Sequence, residues 1–147
     1  MIPKVSIGMP VYNNSRYISE AIDSILNQSF TNFNLYISDN YSSDGTSDIC
    51  QAYAKNDIRI KYYKNDENLG AAANFHKALV LGTTDSCDYF IFARSEAILA
   101  PKLLEEMVNN LERNTGAVLA YPRTVWIDEN GKPIENKPVA FYDTMGY

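Results

Sequence analysis

Short apolar runs alternate along the chain with segments whose apolar residues recur at helical spacing. Strand-like runs lie at residues 5–9, 35–37, 58–62, 89–92 and 117–121. The helical stripes lie between them, at residues 18–26, 49–54, 72–79 and 103–111. We expect the first strand to stop at Pro10 and the first helix to end near Gln28 and Ser29. This alternation predicts βαβ units and a mostly parallel sheet with helices on both faces.

A hairpin or a hooked excursion of the chain is predicted after the fifth strand-like run. Residues 125–127 are apolar and precede the polar sequence Asp128-Glu129-Asn130-Gly131. An Asn-Gly pair between two strands favours a type I′ turn, because both of its central residues need positive φ. The remaining residues up to Tyr147 predict no further element.

Length and charge limit the classes of function. The chain has 147 residues, 46% of them hydrophobic, which predicts one domain over residues 1–147. The formal net charge of −5 repels polyphosphate at long range, so we expect no nucleic acid partner. A small phosphorylated ligand stays possible, because backbone amides and helix N-termini can hold phosphate without net positive charge.

Cysteine usage and the amino terminus favour a cytoplasmic protein. The two cysteines, Cys50 and Cys87, match neither a disulfide framework nor a zinc cluster, and we expect buried free thiols. Residues 1–4 run directly into a strand and resemble no signal peptide. No apolar run approaches the roughly 20 residues of a membrane span.

Side chains suited to a nucleotide base follow the first and second predicted strands. Pro10, Tyr12 and Asn13 would place an aromatic ring and an amide beside a planar base. Asp39 could accept a hydrogen bond from the imide N–H of a pyrimidine. The alternatives are an ordinary packed loop aromatic for Tyr12 and an exposed turn aspartate for Asp39.

Two further polar clusters lie in the same set of loops. One cluster, Asp44-Gly45-Thr46, could contact a ligand or cap a helix, and the two alternatives have equal weight. Asn68-Leu69-Gly70, followed by small residues up to Asn74, permits close approach of a ligand or of another backbone. The dinucleotide G-x-G-x-x-G and the P-loop are both absent from the sequence. A nucleotidyltransferase on a similar sheet is disfavoured, because no basic glycine-rich loop follows the first strand.

Taken together and in order, four segments resemble the amino-terminal motifs of family 2 glycosyltransferases of the GT-A fold. The segments are residues 10–13, 28–33, 39–46 and 68–74, and the resemblance extends from residue 4 to about residue 122. It implies a GT-A-like, Rossmann-type α/β fold. It also implies an inverting transfer of sugar from a nucleoside diphosphate sugar, UDP- or dTDP-linked, to an acceptor hydroxyl in glycan or polysaccharide synthesis.

The resemblance also implies which residues contact the nucleotide. The residue matching Asp39 binds the base, and the segment around Asp44 lies near the ribose and phosphates. Asn40 stands where many relatives have a second aspartate. The whole implied nucleotide-binding set is Pro10, Tyr12, Asn13, Asp39, Asn40, Asp44, Gly70 and Asn74.

This sequence departs from the family after the fourth predicted strand. Relatives have an acidic D-x-D or D-D motif there, which holds a divalent cation on the sugar diphosphate. This chain has Arg94-Ser95-Glu96-Ala97, so only Glu96 could bind Mg²⁺ or Mn²⁺, and weakly. Arg94 could instead stabilise the diphosphate leaving group. The alternative is that Arg94 pairs with Glu96 and has no ligand.

The resemblance implies that the general base and the acceptor-binding part lie beyond the end of this chain. The late acidic residues, none of them in a matching motif, are Asp128, Glu129, Glu135 and Asp143. Two alternatives stay open: a fragment of a longer enzyme, or a short non-catalytic domain that binds nucleotide-sugar or regulates. The acceptor, a glycan or a lipid-linked sugar, is not identified. Missing segments or partners could bring the domain to the inner face of the membrane, and an exposed sheet edge could support a homo-oligomer.

Overall fold

Strands and helices alternate along the chain, as the apolar pattern predicts. The structure is a computed structural model that describes residues 3–134. Its strands are β1 (Val5–Val11), β2 (Phe33–Asp39), β3 (Ile60–Lys64) and β4 (Tyr89–Phe92). Its helices are α1 (Ile18–Leu26), α2 (Thr46–Asn56), α3 (Ala71–Thr84) and α4 (Leu103–Arg113). The boundaries differ from the predicted ones by a few residues, since α1 ends before Gln28 and β3 begins after Ile58.

The strands form one parallel sheet. Their order across the sheet is β3-β2-β1-β4, and each neighbouring pair is parallel. The strand order therefore reverses between β1 and β4, and all the carboxyl ends meet at one edge. In open α/β sheets, ligands bind in the crevice at this kind of reversal. The predicted parallel α/β fold is confirmed.

Helices cover both faces of the sheet. Val5 pairs in register with Phe33 and Tyr89, so the odd-numbered residues of β1 and β2 share one face. That face packs against α1, α2 and α4 in a single buried cluster that contains Ile7, Met9, Ile22, Leu35, Ile37, Cys50 and Leu104. The opposite face is covered by α3. Burial raises the pKa of the Cys50 thiol to about 12, as for an inert core cysteine.

Glycines allow α3 to lie close to the sheet. A Cβ added at Gly8 of β1 would lie 2.7 Å from Cζ of Phe90 and 3.1 Å from the carbonyl oxygen of Ala78. A Cβ added at Gly82 of α3 would lie 2.6 Å from Cε2 of Phe90. The Phe90 ring thus fills the space that side chains at these two positions would occupy. This contact sets the height of α3 above the sheet.

The prediction that the first strand stops at Pro10 is wrong. β1 continues to Val11, with Pro10 in register with Ser38. The last residue of β1 that pairs with β4 is Gly8, opposite Phe92. The carbonyl of Gly8 accepts from Ala93 at 3.0 Å, so the even-numbered residues of β1 turn their backbone polar groups toward β4. Pro10 lacks an N–H on a side where the neighbouring strand has already ended, and no ladder bond is lost.

The predicted fifth strand is also wrong. Residues 117–121 adopt no strand within the part of the chain that the structure describes. Their side chains are mostly exposed, and Val118 is 97% exposed. Residues 118–120 line a groove with β4 and α4 but add no ladder to the sheet. An apolar run forms a strand only where a neighbour supplies backbone partners, which the local pattern cannot indicate.

The predicted hairpin is present as a short turn, but its predicted type is wrong. Ile127 forms an isolated antiparallel bridge with Pro133. The N–H of Gly131 donates to the carbonyl of Asp128 at 3.0 Å, and the N–H of Asp128 donates to the carbonyl of Lys132 at 2.8 Å. Gly131 has φ of 77°, whereas Asn130 is not among the positive-φ residues, so the type I′ requirement is not met. Across residues 3–134, no helix is both long enough and apolar enough to span a bilayer.

Candidate functional site

The loops that follow β1 and β2 are joined by hydrogen bonds at the carboxyl edge of the sheet. The N–H of Asn40 donates to the carbonyl of Val11 at 2.8 Å. The N–H of Asn13 donates to Oγ of Ser42 at 3.0 Å, and the N–H of Ser43 donates to Oδ1 of Asn13 at 2.9 Å. Asn13 has φ of 47°, a conformation that asparagine tolerates better than most residues. The amide of Asn13 therefore joins the two loops in this structure.

Two tyrosines stand beside each other at these loops. Tyr12 follows β1 and is 50% exposed, and Tyr41 follows β2 and is 53% exposed. Tyr41 has φ of 68°, in the left-handed region. Nζ of Lys64 lies 5.6 Å from the centroid of the Tyr41 ring. The sequence interpretation included Tyr12 but missed Tyr41, whose only signal was an aromatic residue in a turn directly after Asp39 and Asn40.

Asp39 ends β2 and is fully buried, not exposed as in the alternative interpretation. Its Oδ1 accepts from the N–H of Ser42 at 2.9 Å. Its Oδ2 accepts from Oγ of Ser47 at 2.5 Å and from the hydroxyl of Tyr62 at 2.7 Å. Burial alone raises the pKa of the Asp39 carboxyl, but these hydrogen bonds outweigh it and lower the pKa below its usual value. The carboxylate holds the loop after β2 against α2 and β3.

Lys64, at the end of β3, adds a cation to this cluster. Its ammonium donates to the carbonyl of Ser42 at 3.1 Å and to Oγ of Ser47 at 2.9 Å. Both of these residues also bond Asp39, so the lysine and the carboxylate are connected through two shared partners. The sequence pattern had indicated no role for Lys64. Its signal was weak, because a lone lysine at a strand end is usually a solvated surface charge.

Asp44 joins the start of α2 to the loop after β1. Its Oδ1 accepts from the N–H of Thr46 at 3.0 Å and from Oγ1 of Thr46 at 2.6 Å. Its Oδ2 accepts from the N–H of Ser15 at 2.9 Å, and Oγ1 of Thr46 accepts from the N–H of Asn14 at 2.8 Å. Desolvation raises the pKa of the Asp44 carboxyl, but these bonds together outweigh it and hold the pKa well below its usual value. The N-cap of α2 is Gly45, which has no side-chain cap bond, so Asp44 stabilises the turn just before the helix.

Asn40 is buried and anchors the loop after β3. Its Oδ1 accepts from Nδ2 of Asn65 at 3.1 Å and from the N–H of Leu69 at 2.9 Å. Its Nδ2 donates to Oδ1 of Asn68 at 2.8 Å. An aspartate at this position could not make the last of these bonds, because an ionised carboxylate has no donor. Both the oxygen and the nitrogen of the Asn40 amide are therefore used to hold this loop.

Asn74 and Gly70 shape the start of α3. Asn74 is buried, and its Oδ1 accepts from Oγ of Ser38 at 2.8 Å and from Nδ2 of Asn65 at 3.1 Å. Gly70 is exposed, with φ of 79°, and its N–H donates to Oδ1 of Asn68 at 2.9 Å. The turn thus uses the positive φ that glycine permits. Asn65 was missed by the sequence interpretation, since it stands outside the motif that contains Asn68 and Gly70.

An open cleft lies where the strand order reverses. It has a volume of about 520 Å³, and its lining residues are Pro10, Phe75, Phe92, Arg94, Ser95 and Glu96. Pro10 comes from β1, whereas Phe92 ends β4 and packs against Phe75 of α3 with ring centroids 5.3 Å apart. Arg94 forms an ion pair with Glu96. Nε of Arg94 lies 2.7 Å from Oε1 of Glu96, so the pairing considered as the alternative for Arg94 is present.

The residues of this cleft do not fit a cation site built by the protein. Over the described range, no group of three or more histidine, cysteine, aspartate or glutamate side chains is placed to hold a metal ion. Among the residues that the structure describes, Glu96 is the one carboxylate that lines the cleft, and its Oε1 is paired with Arg94. Mg²⁺ and Mn²⁺ favour several oxygen ligands. A cation here would depend mainly on ligand oxygens and water.

The late acidic residues divide between turn and surface. Oδ1 of Asp128 accepts from the N–H groups of Asn130 and Lys132 at 2.8 and 2.9 Å, so it stabilises the hairpin turn. Glu129 forms an exposed ion pair with Arg16 at 3.3 Å. Glu135 and Asp143 lie outside the described residues.

The predicted site residues thus form two neighbouring groups at one edge of the sheet. At the carboxyl ends of β1 and β2 lie Tyr12, Asn13, Asp39, Asn40 and Asp44, and the asparagine network connects Gly70 and Asn74 to them. In the cleft between β1 and β4 lie Pro10, near the end of β1, and Arg94 and Glu96, which follow β4. A hydrogen bond of 2.8 Å from Nδ2 of Asn14 to Oγ of Ser95 joins the two groups.

Solved structures share this fold. S. aureus TarS, in a complex with UDP, superposes with a TM-score of 0.68 over 76% of this chain and 33% of its own, at 23% identity. The mannosyltransferase PcManGT from Pyrobaculum calidifontis, in a complex with GDP-Man and Mn²⁺, superposes with a TM-score of 0.62 over 84% of this chain and 34% of its own, at 23% identity. The chain therefore has the fold of these transferases.

Proteins of similar sequence also indicate a glycosyltransferase family. An uncharacterized glycosyltransferase of Methanocaldococcus jannaschii is 33% identical over 139 residues, which cover 92% of this chain and 47% of the relative. The chondroitin synthase of Escherichia coli is 29% identical over 140 residues, which cover 92% of this chain and 19% of the synthase. The chain spans about half or less of the length of these relatives. Residues 6–144 match the model of glycosyl transferase family 2. The chain belongs to glycosyl transferase family 2.

Proposed function

We propose that this chain is a single nucleotide-sugar-binding domain of an inverting glycosyltransferase. Its donor is a UDP- or dTDP-linked sugar, and its acceptor is a hydroxyl in glycan or polysaccharide synthesis. The observation that supports the proposal best is the juxtaposition at the strand-order reversal. Exposed Tyr12 lies beyond β1 on one side, and a cleft that contains Arg94 opens on the other. A nucleoside diphosphate suits both features, because it has a base at one end and a diphosphate at the other.

The base end of the ligand lies over the loops after β1 and β2. Tyr12 offers an exposed ring for stacking, and stacking on an aromatic ring contributes about 1–3 kcal/mol per base. Asp39, Asn40, Asp44 and Asn74 are already bonded within the protein. They act by holding the loops in shape, and direct contact of a base with buried Asp39 requires the covering residues to shift.

The diphosphate end of the ligand lies in the cleft beside Arg94. A guanidinium can donate two parallel hydrogen bonds to phosphate oxygens. Arg94 is paired with Glu96 through an exposed ion pair, and such pairs contribute only about 0–1 kcal/mol. The diphosphate, which has more negative charge than one carboxylate, can therefore compete for the guanidinium. Arg94 then stabilises the charge on the leaving group.

Inverting transfer is a direct displacement at the anomeric carbon. The acceptor oxygen forms a bond to that carbon as the bond from the carbon to the diphosphate oxygen breaks, and the electron pair leaves with the diphosphate. The acceptor proton goes to a general base. Asp128 and Glu129 are held in the turn and the surface ion pair described above. We assign the role of general base to neither of these two residues.

Calorimetric titration with UDP, dTDP and uridine tests the proposal. We expect UDP or dTDP to bind more tightly than uridine. Arg94→Gln should reduce this difference in affinity about tenfold, which is near 1.4 kcal/mol of binding free energy. Glu96→Gln frees the guanidinium and should strengthen UDP binding. Added Mn²⁺ should change the affinity of native protein little, because Glu96 is the one carboxylate of the cleft. Failure of native protein to bind either diphosphate, with or without Mn²⁺, would refute the nucleotide site.

The alternative is a non-catalytic domain that binds nucleotide-sugar. The observation that favours it is that, within residues 3–134, no group of three or more histidine, cysteine, aspartate or glutamate side chains is placed to hold a metal ion. The two functions differ in turnover. Release of free UDP from UDP-sugars in the presence of glycan acceptors supports the transferase. Tight UDP binding by the complete protein without any release of UDP supports the binding domain.

A further inference from the structure

We propose that Tyr41 is a second stacking residue for the base, opposite or beside Tyr12. The inference rests on the proposed nucleotide site. It adds to that site a residue to which the sequence motifs gave no ligand-binding role. Tyr41 stands at the end of β2, whereas Tyr12 stands at the end of β1. The base would be held by rings from two neighbouring strands instead of one.

Hydrogen bonds on both sides fix the two tyrosines next to each other. Just before them, the N–H of Asn40 donates to the carbonyl of Val11 at 2.8 Å. Just after them, the N–H of Asn13 donates to Oγ of Ser42 at 3.0 Å. Tyr12 and Tyr41 are the residues enclosed between these two bonds. Their backbones are therefore held side by side, while their rings remain about half exposed.

Hydrogen bonds of the neighbouring residues hold the conformation of Tyr41, whereas core packing of its own side chain does not. Its φ of 68° places a bulky residue in the left-handed region, where glycine or asparagine is favoured. Its ring is 53% exposed, so burial does not offset this cost. A residue held in a sparsely populated conformation at a ligand edge is a candidate for function. An exposed ring at this position suits a flat ligand.

Lys64 positions the Tyr41 ring from one side. Its ammonium lies 5.6 Å from the ring centroid and is itself held by Ser42 and Ser47. A cation at this distance attracts the face of the ring. The lysine therefore restrains the ring before the ligand arrives, which lowers the entropy cost of stacking.

Replacement of Tyr41 by residues that differ in ring and in backbone preference tests the inference. Tyr41→Asn removes the ring but tolerates positive φ, and Tyr41→Phe keeps the ring. Titration with UDP should show about 5- to 100-fold weaker binding for Tyr41→Asn and nearly native binding for Tyr41→Phe. The unfolding midpoint of Tyr41→Asn should stay near that of native protein. The control is Ile58→Asn, since Ile58 is exposed just before β3 at the opposite edge of the sheet.

The outcomes separate this inference from the proposed function. Native UDP affinity in a folded Tyr41→Asn variant would overturn the role of Tyr41 and leave the nucleotide site standing. Loss of binding in Tyr41→Phe as well would also overturn it, because stacking needs only the ring. No binding of UDP or dTDP by native protein would overturn both. Loss in Tyr41→Asn alone, with Ile58→Asn unchanged, supports the inference.

Discussion

Asn74 of α3 and Ser38 of β2 bond to each other in both directions. Oγ of Ser38 donates to Oδ1 of Asn74 at 2.8 Å, and Nδ2 of Asn74 donates to the carbonyl of Ser38 at 2.9 Å. Both residues are buried. This pair fastens the first turn of α3 to the carboxyl end of β2. The candidate site thus depends on a polar contact within the layer between helix and sheet.

Asn74→Leu should destabilise the fold strongly. Leucine is similar in size but removes both bonds between Asn74 and Ser38 and one of the two bonds of Nδ2 of Asn65, and an unpaired buried polar group costs about 1–3 kcal/mol. We expect the free energy of unfolding to fall by about 2–4 kcal/mol, measured by urea denaturation. Asn109→Leu on the exposed side of α4 is the control and should change it by less than about 0.5 kcal/mol. Equal effects of the two changes would contradict the role of Asn74.

Asp39 should make stability depend on acid pH. Its folded pKa is lowered, so its contribution is fully present above the unfolded pKa of about 3.9 and is lost as pH falls toward the folded pKa. Urea denaturation should show native protein more stable than Asp39→Asn at neutral pH. That difference should shrink below about pH 4. A difference that does not change with pH would show that the charge of Asp39 is not stabilising.

Tyr62→Phe tests the cause of that lowered pKa. The Tyr62 hydroxyl donates to Oδ2 of Asp39 at 2.7 Å, and burial together with the nearby carboxylate raises the pKa of Tyr62 to about 12. Loss of this donor should raise the folded pKa of Asp39. As pH falls, Tyr62→Phe should then begin to lose stability at a higher pH than native protein does. An acid profile that does not shift would mean that the hydrogen bonds from Ser42 and Ser47 are enough to lower the pKa of Asp39.

Gly8→Ala should separate α3 from the sheet. The new methyl would lie 2.7 Å from Phe90 and 3.1 Å from the carbonyl oxygen of Ala78. The Phe90 ring cannot move freely because it packs edge-on against Phe92 with centroids 4.9 Å apart. We expect a loss of about 1–3 kcal/mol in thermal or urea unfolding. Gly116→Ala, where no atom lies within 4 Å, is the matched control and should be nearly neutral.

A double substitution identifies the clash as the cause. Phe90→Leu should restore part of the stability lost in Gly8→Ala, because the smaller side chain makes room for the methyl group. If the two losses simply add, the contact between Gly8 and Phe90 does not set the position of α3.

The open side of β4 should promote self-association. Among the described strands, β4 pairs only with β1, and the groove beside it is apolar. Exposed edge strands next to apolar surface favour contacts between chains. We expect sedimentation to show association that grows with protein concentration. Val118→Lys together with Leu119→Lys should reduce it, and a monomer at all concentrations would refute the prediction.

Local pattern was sufficient to predict most elements of the fold. Apolar spacing in α1 and the continuous apolar run of β4 need no distant partner to be recognised. The same local information was insufficient for Pro10, which continues β1 only because β4 ends opposite Gly8. It was insufficient for residues 117–121, which have strand composition but form no ladder with β4 in the groove that they share.

The sequence by itself determined the order of strands and helices and which polar motifs follow the strands, because periodicity and turn chemistry are local properties. Tertiary structure alone decided how those motifs meet. It buried Asp39 under three donors, held Tyr12 and Tyr41 side by side, and paired Arg94 with Glu96 in the cleft. Burial, hydrogen-bond partners and side-chain exposure depend on contacts between residues far apart in the chain, and spacing along the sequence does not contain them.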